Sequence, residues 1–123
     1  MYSEDWQQAA RAVRREVVGN DGATTDPLAP EGYQDYVTAM AWGVWAREGA
    51  LSNRDRSLLV LAMTATAGRT GAFRVHLEAA PRAGVSDAEI DALLFQITAY
   101  CGAPAGNEAL AVLREVRNAR ETA

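Results

Sequence analysis

One ionisable ring in this chain stands where chemistry is to be expected. His76 is the only histidine among 123 residues. It falls in a segment whose inward residues repeat with helical spacing: Phe73, His76, Leu77 and Ala80 occupy i, i+3, i+4 and i+7. An imidazole titrates closest to neutral pH, so on the inner stripe of a helix it is the first candidate for proton transfer. The alternative is a core histidine satisfied by one hydrogen bond. Arg56 is the second candidate, because its planar fork can hold a carboxylate; the alternative is a solvated or ion-paired arginine near a helix start. Tyr33, Trp45 and Tyr100 can line an apolar pocket with a polar tip, or they can be packing residues within or between subunits. Arg74 lies two positions from His76 and points elsewhere on the helix, to the surface or an interface. Cys101 reads as an inert buried thiol.

The elements that must position these residues are helical. Residues 51–85 read as two helices joined by a short turn bracketed by Gly68 and Gly71. Ser52 caps the first, with Asp55 three residues on. Residues 58–67 are almost wholly apolar, which predicts a helix buried on nearly all sides. The second helix carries His76 and stops at Gly84. Before this hairpin, Trp6, Ala10, Val13 and Val17 mark an amphipathic helix that ends at Gly19-Asn20. Residues 20–29 form a long polar loop, of the kind that is functional or lies against an oligomer interface. Pro30 can begin the next helix at its first position. Tyr33, Val37, Met40, Ala41 and Val44 would be its inner face, with Tyr36, Trp42 and Trp45 outside it and Gly49 at its end. A helix apolar on more than one side calls for a second partner, and in a short chain that means another subunit.

After the hairpin, Ser86 and Glu89 match a capping box. Ile90, Leu93, Leu94, Ile97 and Cys101 continue as an apolar stripe, broken by Gly102-Ala103-Pro104. Ala105, Ala109, Val112, Leu113 and Val116 mark a terminal helix. No stretch alternates with period two for long enough to be a strand. The reading is all-α, about six helices around a central hairpin, in a single domain over residues 1–123.

Composition narrows the function classes. Nearly half the residues are hydrophobic and charged residues are plentiful, the profile of a soluble globular protein. The formal net charge is −4 and basic residues are scattered among acidic ones, which argues against a nucleic-acid interface. No apolar run approaches the ~18–20 residues of a membrane span, and the N-terminus has no signal-peptide pattern. A single cysteine excludes an intrachain disulfide and a C-x-x-C redox pair, and points to the cytoplasm. One histidine and one cysteine are too few soft ligands for a structural zinc site, so no metal is expected.

Several segments together resemble one family. They are Ala12-Val13-Arg14-Arg15-Glu16-Val17-Val18-Gly19; Gln34-Asp35-Tyr36-Val37-Thr38 with Ala41-Trp42-Gly43; Arg56-Ser57-Leu58 with Ala62-Met63; Val75-His76-Leu77 with Ala79-Ala80, Gly84-Val85 and Glu89-Ile90. Last come Gln96, Ile97, Ala99 to Gly102, Pro104-Ala105 and Asn107. In order and spacing these are similar to the carboxymuconolactone decarboxylases over most of the chain. The resemblance implies an all-helical protomer in a ring-like homo-oligomer, a trimer or hexamer. It also implies a cofactor-free loss of CO2 from a small conjugated carboxylated lactone, 4-carboxymuconolactone in aromatic catabolism. The alkylhydroperoxidase branch needs the C-x-x-C pair that is missing here.

The sequence departs from the family pattern at three places near the site. Ala72 stands where the family commonly has a Glu one turn before the histidine. Val44 replaces an acidic residue after Trp-Gly. Pro81 follows the Ala-Ala pair, and should bend or end the His76 helix near Ala80. The resulting expectation is a lyase in which His76 moves the proton and Arg56 binds the acid. Two alternatives accompany it: an isomerase, dehydratase or cyclase of specialised metabolism using the same pocket, and a non-catalytic helical oligomer.

Overall fold

The computed structural model describes residues 2–22 and 26–123. Among them the chain forms six α-helices and no strand: α1 (Glu4–Val18), α2 (Tyr33–Ala46), α3 (Asn53–Thr66), α4 (Thr70–Ala83), α5 (Asp87–Cys101) and α6 (Ala103–Thr122). Consecutive helices pack as pairs, α1 with α2, α3 with α4 and α5 with α6. They form two compact units, one ending at Leu51 and the other running over Ser52–Ala123. The first helix of each pair is begun by a serine. Ser3 accepts from the Trp6 N–H, and Ser52 and Ser86 form full capping boxes with Asp55 and Glu89. No described helix is long and apolar enough to cross a membrane.

The first unit is keyed rather than greased. Trp6 on α1 lies against Gly43 of α2, where a Cβ would stand 2.2 Å from the indole nitrogen. The indole Nε1–H donates to the Ala39 carbonyl at 2.7 Å. Arg14 Nη1 donates to the buried Thr38 hydroxyl at 2.9 Å, and Arg14 Nε donates to Asn20 Oδ1 at 3.2 Å. Asn20 Oδ1 also accepts from the Gly22 N–H, which draws the first part of the long loop back over α1. Residues 23–25 of the expected 20–29 loop lie outside the described residues.

Three expectations for α2 need correction. The helix begins at Tyr33, not at Pro30, because Gly32 takes φ +81° and the Tyr33 N–H bonds back to the Pro30 carbonyl across a turn. It closes at Ala46, with Arg47 as its C-cap, ahead of Gly49. Its inner face is also not the expected one. Thr38, Ala39, Trp42, Gly43 and Trp45 are buried, while Tyr33, Met40, Ala41 and Val44 are exposed. An almost uniformly apolar helix has no preferred face by period alone. The notch at Ala39 and Gly43, filled by Trp6, makes the choice.

The second unit is built on a continuous apolar cluster. Leu61 and Ala65 of α3, Phe73, Leu77 and Ala80 of α4, Val85, Ile90 and Ile97, and Ala109, Val112, Leu113 and Val116 of α6 form it. The α5–α6 corner is tight: a Cβ on Gly106 would stand 2.0 Å from Thr98 Oγ1. Surface ion pairs trim the edges, Arg54 with Glu89 and Arg117 with Asp91.

Here too three expectations fail. α3 is buried on one side only; Leu59 is 43% and Met63 62% exposed, because its neighbours α4, α5 and α6 all sit on the Ser57–Leu61–Ala65 side. Pro81 does not end α4, which runs on to Ala83 and stops at Gly84 with φ +90°. Proline so near the C-terminus removes only one late hydrogen bond, and the ring is accommodated in the last turn. Cys101 is exposed. It is the last residue of α5, beside the last residue of α3, with its Sγ 3.3 Å from Thr66 Oγ1.

Candidate active site

Helix α4 sets the environment of His76. Its buried side comprises Phe73, Leu77, Ala79, Ala80 and Ala83. At 100° per residue, the direction of position 76 falls inside that arc, between Ala79 and Phe73. The expected inward stripe is therefore present, and it is wider than the sequence pattern implied. His76 itself is half-buried, and its Nδ1 is out of contact with solvent. Burial pushes the imidazole below its ordinary titration range, because the charged form loses water.

The residues around the ring on its own helix are mostly small, apart from the buried Phe73 at i−3. Positions i−4, i+3, i+4 and i+7 are Ala72, Ala79, Ala80 and Ala83. Ala72 is exposed and the other three are buried. Phe73 is the one large side chain of α4 on a turn next to the imidazole. Sequence reading placed the histidine but overlooked its mostly small neighbours; counting i±3 and i±4 around His76 gives Ala72, Phe73, Ala79 and Ala80.

Arg56 belongs to the first turns of α3, the helix paired with α4, and is half-buried with its Nε away from solvent. In the α3–α4 hairpin, whose turn centres near Gly68, position 60 stands level with position 76. Arg56 thus lies about one helical turn, roughly 6 Å, along the axis from the level of His76. Tyr100 lies on the outer side of α5 and is 86% exposed. Tyr33 and Trp45 belong to the first unit. Trp45 is buried with its ring 4.8 Å from that of Trp42, whereas Tyr33 is exposed at the opposite end of α2, about 18 Å away along the helix axis. The α3–α4 pair thus carries Arg56 and His76 on adjacent helices, about one turn apart in level, and α2 does not bring Tyr33 and Trp45 together. Arg74 forms an ion pair with Glu115, in line with a surface role. It separates two open grooves of about 380 and 320 Å³ along the α4–α6 seam, on the side of α4 away from His76.

A half-buried, predominantly neutral imidazole can pass a proton, and a guanidinium can hold a carboxylate. A sequence model of the carboxymuconolactone decarboxylase family matches residues 31–115. The chain belongs to that family. Tyr33, Trp45, Arg56, His76 and Tyr100 all fall within the matched residues. Over 85 residues the chain is 36% identical to the 4-carboxymuconolactone decarboxylase of Acinetobacter baylyi, covering 68% of this chain and 63% of that protein. Over 112 residues it is 31% identical to the nitrosuccinic acid decarboxylase of Metarhizium robertsii, covering 86% of this chain and 77% of that protein. No solved structure is a significant match. The family accounts for the all-helical architecture, and both relatives carry decarboxylase names.

Proposed function

We propose that this family member is a cofactor-independent decarboxylase for a small dicarboxylic acid, with His76 as the proton-transfer group and Arg56 as the carboxylate clamp. The observation that carries the reading is His76 on the buried arc of α4, half-buried beside Phe73, Ala79 and Ala80 of its own helix, with its titration lowered by burial. The substrates named for the two relatives support the substrate class. A carboxymuconolactone and a nitrosuccinic acid are both dicarboxylic acids. In each, the bond to one carboxylate can break while its electron pair passes into a conjugated lactone carbonyl or a nitro group.

The step balances without a cofactor. The carbon–carboxylate bond breaks, CO2 leaves, the electron pair enters the electron-withdrawing group, and one proton is added to the resulting carbanion equivalent. A guanidinium beside the developing negative oxygen stabilises it. His76 delivers the proton and regains one from solvent. Desolvation favours the neutral ring in the free protein, and an incoming dianion favours the protonated ring. Activity of the free enzyme should therefore fall as pH rises through a His76 titration that lies below the ordinary ~6.5.

The test offers 4-carboxymuconolactone and nitrosuccinate separately to the full chain and measures CO2. The expected result is CO2 from at least one of them, with His76→Gln slowing turnover by about 100-fold or more and Arg56→Gln acting mainly on KM. Absence of CO2 from both substrates, or an unchanged rate in folded His76→Gln, would overturn the proposal.

A further inference from the structure

Two helix caps in the second unit are tied together by one side chain. Arg54 is the second residue of α3, and its guanidinium reaches two carboxylates. Nη1 stands 3.5 Å from Asp55 Oδ1, and Nη2 pairs with Glu89 Oε2 of α5. Each carboxylate is also the acidic half of a capping box. Asp55 Oδ2 accepts from the Ser52 N–H at 3.4 Å, and Glu89 Oε1 accepts from the Ser86 N–H at 3.0 Å. The guanidinium thus links the start of α3 to the start of α5, helices that pack on each other. An exposed ion pair ordinarily contributes little, because two long side chains must be ordered to make it. Here both carboxylates are already held by their caps, so Arg54 alone remains to be ordered.

We propose that Arg54, held by Glu89, is a positioning residue for Arg56. The inference rests on the reading of Arg56 as the carboxylate clamp. Arg56 leaves α3 at its first turn, and its backbone N–H donates to the Ser52 carbonyl at 2.9 Å. The first fully buried residue of α3 is Ser57, one position further on; residues 53–56 are half-buried or exposed. A helix end that lies ahead of its first buried anchor frays unless something else holds it. The Ser52 box holds this one locally, and Arg54 fastens it to α5, more than thirty residues away in the chain. With the turn fixed, the Arg56 guanidinium presents its fork at one place, its Nε out of contact with solvent. With the turn loose, the fork samples several places and holds a carboxylate less well. Proton transfer by His76 on α4 does not depend on this turn, so the effect falls on substrate binding.

The test compares Glu89→Gln, Arg54→Gln and Arg54→Lys with the wild-type full chain. KM and kcat are measured on whichever of 4-carboxymuconolactone and nitrosuccinate releases CO2, and backbone amide hydrogen exchange is followed residue by residue. Glu89→Gln keeps the capping acceptor and removes the charge. It should raise KM by about 5-fold and leave kcat within about 2-fold. Arg54→Gln should act in the same direction, and Arg54→Lys, which keeps the cation but not the fork, should recover part of the loss. Glu89→Gln should also speed exchange at the Asp55 and Arg56 amides by about 3–10-fold while the α6 amides keep their wild-type rates. A general loss of stability would instead speed both. A fall in kcat at unchanged KM, or unchanged exchange at Asp55 and Arg56, overturns the proposal. Release of CO2 from neither acid defeats the decarboxylase reading alone, and exchange then decides the role of Arg54. Faster exchange confined to Asp55 and Arg56 supports it, and wild-type rates there overturn it.

Discussion

The two units of this chain are held together in different ways. In the first, two helices are locked by a few specific fits: an indole in a glycine notch, its N–H on a carbonyl, and a guanidinium on a buried threonine. In the second, four helices share a contiguous cluster of twelve apolar residues. A keyed joint concentrates its stability in a few atoms, so one misplaced methyl group disrupts it. A shared cluster spreads stability over many small contacts, and loses it in proportion to what is removed.

That contrast can be measured, because all three tryptophans, Trp6, Trp42 and Trp45, belong to the first unit. Tryptophan fluorescence reports that unit, and far-ultraviolet circular dichroism reports all six helices. The largest effect is expected for Gly43→Val. It must expel the Trp6 ring and should cost about 3–5 kcal/mol, seen as an early fluorescence transition in urea. If it costs less than about 1 kcal/mol, the glycine notch is not the key. Leu61→Ala, within the cluster and fully buried, should lower the unfolding free energy followed by dichroism by about 3 kcal/mol. Trp6→Phe keeps most of the packing but drops the bond to Ala39, an expected loss near 1 kcal/mol by fluorescence. Ser52→Ala removes the α3 cap and should cost a similar ~1 kcal/mol. The smallest effect is the pH dependence from His76. Its titration in the folded protein lies below that in the unfolded chain, so the unfolded state binds the proton first. Stability attributable to this residue is full above the ordinary ~6.5 and declines as pH falls below it. His76→Gln should flatten that decline in urea titrations, and a slope unchanged by the substitution would remove His76 as its source.

The same contrast explains what was readable from residues alone. Signals that act within one turn were legible: the serine caps, the glycine stops at Gly19 and Gly84, and the break at Gly102. So was α4, whose polar and apolar sides differ enough for its inner stripe to be drawn correctly. The face of α2 was not legible, because residues 33–46 are apolar nearly all round and Trp6, the residue that chooses the face, is 33 positions from its acceptor Ala39. The burial of α3 was overstated for a related reason: an apolar run records what a helix can cover, not how many neighbours a protomer supplies. Of the candidate site, His76 was legible from its type and its stripe. The family resemblance was legible in the order of its segments, which the match over residues 31–115 bears out. The neighbours of the ring on its own helix, Ala72, Phe73, Ala79 and Ala80, follow only when they are counted turn by turn.

The serine at the head of each helix pair has a kinetic consequence. Ser3, Ser52 and Ser86 each mark a nucleation point, and in the α3–α4 and α5–α6 pairs the partner helix follows within a few residues. Most early contacts are then local in sequence, the low-contact-order regime in which small helical domains assemble in microseconds to milliseconds.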